Sequence, residues 1–363
     1  MQVFEPIMND SDMPLVSVLV YNYNYGRYLE ECLQSIINQT YANVEIHFSD
    51  NASTDNSWEI ASDFCKSNPG RISITRNARN LGSDANWRNC FLNARGKYCL
   101  TLSSDDVLLP NCVALCVQVF KKHQDLGFVM MHHAKIDAKS NRFDEPSFYN
   151  ESCIIQGEDQ AAVFMMASIN PSISQVMYDK LKLEGVQIES GALSWAFMQR
   201  WYGARIWDFN LCKKYPMAYI KEAMVLYRVH GENACVSAED NLLEVVGPYM
   251  LIRQFYEDAK LLNLKKVIDR YPAAVKKLSS LALRYCIRYL LSKNDAVALR
   301  YFHLSVAVSS DIIDDDVFRK LQKYWQVGEV EKSTILCDLT GTSNLVERKV
   351  SYDPPIRSVK ISF

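Results

Sequence analysis

No stretch of this 363-residue chain approaches the ~20 consecutive apolar residues that span a bilayer. Its opening segment, MQVFEPIMNDSDMP, lacks both the basic start and the apolar centre of a signal peptide, so a cytoplasmic location is expected. Charge of one sign is missing too: the formal net charge is −2, which removes any global electrostatic case for a nucleic-acid partner. No Cys-x-x-Cys pair occurs. The cysteines sit singly inside apolar runs (Cys32, Cys65, Cys90, Cys99, Cys112, Cys116), as reduced buried thiols do, and not as disulfides or zinc ligands. Glycine-rich phosphate loops are absent as well. A dinucleotide-binding chain carries G-x-G-x-x-G after its first strand, and here that place reads YNYNYGRY, with one glycine.

What is present is an ordinary globular composition, 48% hydrophobic and 23% charged, with a clear alternation of elements. LVSVLVY (15–21) is β-branched and apolar, as in a strand buried on both faces. YLEECLQSIINQ (28–39) places Leu29, Leu33, Ile36 and Ile37 at helical spacing. Strands over 44–50, 72–75, 98–103 and 128–133 alternate with helices over 53–67, 84–94 and 110–123, with Ser53 and Thr54 read as caps of the second helix. Such alternation predicts an α/β fold with a doubly wound sheet, whose ligands bind beyond the carboxyl ends of the strands. Asp50, Asp105 and Asp106 all follow such an end, so one crevice can hold them. From about residue 240 the chain reads as amphipathic helices in hairpins. We expect three parts: a catalytic domain over 1–235, a helical appendage over 236–330 and a tail over 331–363 with short alternating runs, STILCDL and SVKISF.

The sequence TLSSDDVLLP (101–110) ends a strand on paired carboxylates, whose mutual repulsion a divalent cation relieves. In the first loop, Tyr21, Tyr23 and Asn24 suit stacking on, and hydrogen bonding to, a nucleobase.

Five segments, in order and spacing, resemble the inverting, family-2 nucleotide-sugar glycosyltransferases of GT-A fold: VSVLVYNYN, YLEECLQSIINQTYANVEIHFSDNASTDNS, RNLGSDANWRNCFLNARGKY, LTLSSDD and AYIKEAMVLYRVHGEN. The resemblance covers roughly residues 14–235 and implies a Rossmann-like mixed sheet and transfer from a UDP- or dTDP-sugar to a saccharide or lipid-linked acceptor in bacterial surface-polysaccharide assembly. It also implies roles. Asp50 stands where the family accepts the N3–H of uracil or thymine. Asn80, Gly82, Asn86 and Ser104 join the nucleotide-sugar site with their segments. Asp105 stands at the metal-coordinating place of the D-x-D motif, for Mn²⁺ or Mg²⁺, and His230 completes the metal sphere or bonds the diphosphate.

Departures matter. Ser103 replaces the first aspartate of D-x-D, and Tyr21 stands where proline is usual. Asp106 supplements the ligand set or, preferably, caps the next helix. Arg228 is expected as a diphosphate clamp, because guanidinium pairs with phosphate bidentately. Inverting transfer needs a general base for the acceptor hydroxyl; the family's place aligns with Ile206, and the carboxylate of WDFN, Asp208, is the first candidate, with Glu189 in reserve. Two other classes compete: a sugar-phosphate nucleotidyltransferase, which wants a glycine-rich first loop, and a non-catalytic sugar-nucleotide binder. Residues 261–290 carry seven basic side chains against Asp269 alone, which makes peripheral contact with the inner face of the cytoplasmic membrane a further expectation.

Overall fold

The computed structural model describes residues 13–166, 172–189, 196–230, 242–342 and 350–363, the side chains of 187–189 and 196–203 excepted. Two compact units emerge. The first draws on 1–157, 171–230 and 350–363, the second on 158–170 and 231–349.

In the first unit the chain runs β1 (Val16–Asn22), α1 (Gly26–Ile37), β2 (Val44–Asp50), α2 (Ser57–Ser67), β3 (Ile72–Arg76), α3 (Ser83–Asn93), β4 (Tyr98–Ser103), β5 (Val107–Leu108), α4 (Cys112–Lys122), β6 (Phe128–Ile136), β7 (Arg142–Phe143) and β8 (Cys153–Ile155). Helix α5 (Gly157–Met165) leads into the second unit; β9 (Val176–Asp179), α6 (Lys180–Glu189), α7 (Ala196–Cys212) and β10 (Met217–Arg228) return to the first. The path through the sheet is β8-β10-β6-β9-β4-β1-β2-β3, closed at the β8 edge by a last strand, β11 (Val359–Lys360).

The parallel half, β4-β1-β2-β3, is the one the alternation predicts: β1 pairs β2 and β4 in parallel, and β2 pairs β3 in parallel. Strands β1 and β2 bury nearly every residue, because α1 and α3 bring apolar side chains against opposite faces. Leu29, Leu33 and Ile36 are fully buried, as their spacing requires. The sheet becomes mixed at β9, which pairs antiparallel with both β4 and β6. Below the amino ends of β1 and β2, Glu45 ties three segments together. It accepts from Ser17 Oγ (2.6 Å), the Arg95 N–H (2.8 Å) and Arg95 Nη2 (2.6 Å). Burial raises its pKa, but these bonds and His47 outweigh that and bring it down to about 2.

The second unit continues through α8 (Leu243–Leu262), α9 (Lys265–Leu291), α10 (Asp295–Val308), α11 (Asp316–Tyr324) and α12 (Glu329–Leu339). Tyr256 stacks on Tyr271 at 4.1 Å between α8 and α9, and Tyr285 on Tyr301 at 4.9 Å between α9 and α10, giving the expected hairpins.

Several expectations are corrected here. The division at 235 and 330 does not hold: nearly all of α5 belongs with the helices, and 350–363 returns to the first unit through β11, paired antiparallel with β8. The alternating run STILCDL is part of α12. Helix α2 begins at Ser57 and α4 at Cys112, so Ser53 caps nothing and Pro110 precedes its helix; Asp106 is not the cap of α4, whose N-cap residue is Asn111.

Candidate active site

The carboxyl ends of β1, β2 and β4 converge, and each delivers polar groups to one crevice. The β2 end delivers Asp50, which is completely buried. Its Oδ1 accepts from Asn22 Nδ2 (3.2 Å) and from Ser53 Oγ. Its Oδ2 accepts from the Ser53 N–H (3.0 Å) and pairs with Arg76 Nε (3.2 Å). The segment read as a helix cap is thus spent on Asp50. Arg76 escaped the sequence reading, although it sits at the β3 end directly across from Asp50 in register. Its guanidinium lies 5.4 Å from the Trp58 ring centre and also donates to Ser53 O (2.9 Å). At 40% exposure it is the most exposed of the described partners of Asp50.

The asparagines form the frame around this carboxylate. Asn86, 1% exposed, accepts from Ser49 Oγ (2.7 Å) and donates to Asn22 O (3.1 Å) and Ser49 O (3.0 Å), stapling α3 to β1 and β2. Asn80 Oδ1 accepts from Asn51 Nδ2 (2.8 Å) and from the Gly82 N–H (2.9 Å). Gly82 has φ +87, a left-handed conformation that a side chain resists, and it starts α3. Asn24, also left-handed (φ 60), holds the facing loop by accepting from the Thr54 N–H (2.8 Å). Of the first-loop residues expected at a base, Tyr23 is exposed. Tyr21 is tucked inward opposite Ser103 in register. Burial, then Asp105 and Asp106, raise the Tyr21 phenol to about 12.

Beyond β4, Ser104 Oγ donates to Tyr21 O (2.9 Å) and fixes the turn carrying the aspartates. Asp105 Oδ2 lies 3.1 Å from His230 Nε2, which brings together the two residues expected at a metal. The His230 ring is wedged against Tyr25 (5.7 Å) and Tyr28 (5.2 Å). Asp106 points the other way. It is fully buried and accepts from the Arg228 N–H (2.9 Å) and Ser174 Oγ (2.6 Å). Burial and the neighbouring Asp105 raise its pKa to about 8 against the opposing pull of Ser174 and Arg228.

Two expected residues leave the crevice. Arg228 is not the diphosphate clamp. It is completely buried and donates to Asp105 O (2.7 Å), Asp137 O (2.9 Å), Ser140 Oγ (3.0 Å) and Glu31 Oε2 (2.6 Å), a strut beneath Asp105. Asp208 is 1% exposed on α7 and accepts from the Tyr178 hydroxyl (2.8 Å). Tyr178 pairs with Cys99, at the amino end of β4, whereas Asp105 follows the carboxyl end. Asp208 is therefore closed off from solvent and bonded to Tyr178, which does not suit it to take a proton from an acceptor hydroxyl. Glu189 ends α6, and its side chain lies outside the described residues.

A mixed sheet whose parallel strands end on a buried aspartate and an aspartate–histidine pair fits a glycosyltransferase of GT-A architecture. The chain belongs to glycosyl transferase family 2, whose model matches residues 17–194. It is 30% identical to an uncharacterized glycosyltransferase of Nostoc sp. over 233 residues, 61% of this chain and 67% of that protein. It is 34% identical to chondroitin synthase of Escherichia coli over 131 residues, 36% of this chain but only 18% of that enzyme. Among solved structures, S. aureus TarS 1–349 in complex with UDP-GlcNAc superposes with a TM-score of 0.56 at 14% identity, covering 91% of this chain and 92% of that one, a likeness of fold.

Proposed function

We propose that this glycosyltransferase moves a hexosyl or N-acetylhexosaminyl group, with inversion, from a UDP- or dTDP-sugar to a saccharide or lipid-linked glycan, in bacterial surface-polysaccharide assembly on the cytoplasmic side. The observation that carries the reading is the meeting of Asp105 and His230 at 3.1 Å, with Asp105 and Asp50 at the carboxyl ends of β4 and β2, the two strands that flank β1. The names of relatives, chondroitin synthase and an abequosyltransferase of Salmonella typhimurium, support a polymer-building setting.

The residues fit a divalent cation. Among the described residues no group of three or more His, Cys, Asp or Glu side chains can hold a metal alone. Asp105 and His230 offer one oxygen and one nitrogen donor, and a diphosphate completes such a sphere, as Mg²⁺ and Mn²⁺ sites in phosphate-transferring enzymes commonly require. Bound there, the cation supplies Lewis-acid stabilisation of the departing nucleoside diphosphate. The chain does the rest. Asp50 accepts the base N3–H once Arg76, the most exposed of its described partners, moves aside. Tyr23 offers its exposed ring to the base. Arg228 holds the Asp105 backbone.

Incubation with a panel of UDP-, dTDP- and GDP-sugars and Mn²⁺ tests the reading. Slow release of UDP or dTDP, but not GDP, is the expected result. Pyrophosphate production, or binding with no release from any donor, contradicts it.

A further inference from the structure

Asp105 stands in a turn that a single hydroxyl closes. Strand β9 pairs antiparallel with β4, with Tyr98 opposite Asp179 and Leu100 opposite Met177, and the paired residues stop there. Continued in the same register, that ladder sets Ser174 opposite Ser103, the last residue of β4. The chain instead enters β9 from a 3₁₀ turn over Ile173–Gln175, and the Ser174 side chain takes the place of the ladder. Its Oγ accepts from the Ser103 N–H (3.0 Å) and donates to Asp106 Oδ2 (2.6 Å). A hydroxyl can do both at once, since it carries one donor and two acceptor lone pairs. Residues 103 to 106 are thereby closed into a ring that contains Asp105.

The hydroxyl is itself held. Ser174 is completely buried. A capping box fixes its turn: Ser172 Oγ accepts from the Ser174 N–H (3.3 Å), and the Ser172 N–H donates to Gln175 Oε1 (2.8 Å). Gln175 Nε2 donates in turn to Met131 O on β6 (2.8 Å). From β10, the Arg228 N–H bonds Asp106 Oδ1 and Arg228 Nε bonds Asp105 O. The turn is gripped from two sides, while the Asp105 carboxylate meets His230 (3.1 Å). Ser103 replaces the first aspartate of D-x-D, so Asp105 is the motif's one remaining aspartate and its aim matters more. A ligating side chain has to be held to within about half an ångström of its working place.

We propose that Ser174 is a positioning residue for donor binding: by tying Ser103 to Asp106 it holds the turn in the shape that aims Asp105 at a metal–diphosphate pair. The inference rests on the metal reading of Asp105 and His230. Loss of the hydroxyl then weakens metal-dependent binding of a nucleoside diphosphate and spares metal-free binding, because the described partners of Asp50 are Asn22, Ser53 and Arg76. Ser17 provides a matched comparison. It too is completely buried, accepts from a backbone N–H (Gly96, 2.8 Å) and donates to a carboxylate (Glu45, 2.6 Å), but it lies at the amino end of β1. Truncating either serine leaves the same kinds of group unpaired, so a general loss of stability acts on both variants.

The test is isothermal calorimetry of UDP, with and without Mn²⁺, on the full chain and on Ser174→Ala, Ser172→Ala and Ser17→Ala, with a thermal melt of each. Ser174→Ala should keep its metal-free affinity, and its gain on adding Mn²⁺ should fall from the wild-type value of about tenfold or more to about twofold or less. Ser172→Ala removes only the capping box; it should lose about two- to threefold of the gain, and it reads the same effect if Ser174→Ala does not fold. Ser17→Ala should melt lower than wild type and keep the full gain. A full gain in Ser174→Ala overturns the proposal, as does a full gain in Ser172→Ala where Ser174→Ala is unfolded. An equal loss of gain in Ser17→Ala overturns it too, because the effect is then general softening, and so does a matching loss of metal-free affinity in Ser174→Ala. A wild type with no Mn²⁺ gain refutes the metal reading itself, and the proposal with it.

Discussion

Asp208→Asn separates a buried structural carboxylate from a catalytic base. Burial, with no described partner for Oδ2, raises the Asp208 pKa from 3.8 to about 7, although Tyr178 and Arg205 pull the other way. Between those two values the unfolded chain has lost a proton that the folded chain keeps. Stability therefore falls as pH rises through that window, and above it a constant penalty remains. At 1.36 kcal/mol per unit the shift corresponds to roughly 4 kcal/mol as an upper bound. Asparagine carries no such penalty and keeps the bond from Tyr178 to Oδ1, but it buries an amide N–H₂ where Oδ2 has no described partner, at a cost of about 1–3 kcal/mol. The variant should thus be more stable than wild type by about 1–3 kcal/mol above pH 7, and equal or less stable near pH 4. Urea denaturation followed by tryptophan fluorescence at both pH values measures the difference, and sugar transfer should persist within a few-fold. A stability difference independent of pH, or a loss of turnover of about a hundredfold or more with stability unaltered, would refute the reasoning and return Asp208 to catalysis.

Two further outcomes follow from the buried networks. Glu45→Gln should cost up to about 3 kcal/mol at pH 7, because the depressed Glu45 pKa makes its contribution present above about 4.5 and lost as pH falls towards 2; a cost that does not shrink in acid denaturation curves contradicts this. Arg228→Met leaves Glu31 and the backbone oxygens of Asp105 and Asp137 without their donor and should destabilise by about 3–5 kcal/mol in thermal melts. If it instead folds normally and only weakens nucleotide binding, the clamp role returns.

The parallel half of the sheet was legible because each of its strands is a run of β-branched and apolar residues between helices of plain periodicity. Strand β9 was not, since VMYD is four residues long and owes its place to β4 and β6, about eighty and fifty residues earlier. The same limit explains Arg228 and Asp208. Their neighbours in sequence identify a motif or an amphipathic helix. Whether a side chain points into the crevice or away from it depends on Asp105, Asp106 and Tyr178, which arrive from other strands. Arg76 left a trace that could have been used, a cation at a strand end in the same register as Asp50. The run STILCDL could not be placed because its alternation is as compatible with one face of a short helix as with a strand; in the helix Ile335 and Leu339 are buried four apart.

Binding of UDP by isothermal calorimetry, with and without Mn²⁺, on wild type and on Asp105→Asn, tests the central claim that Asp105 and His230 meet to hold a metal–diphosphate pair. Wild type should bind UDP at least about tenfold more tightly with Mn²⁺, about 1.4 kcal/mol, and Asp105→Asn should lose that gain while keeping its metal-free affinity. Equal affinity with and without Mn²⁺ in wild type, or a full Mn²⁺ gain retained by Asp105→Asn, would contradict it.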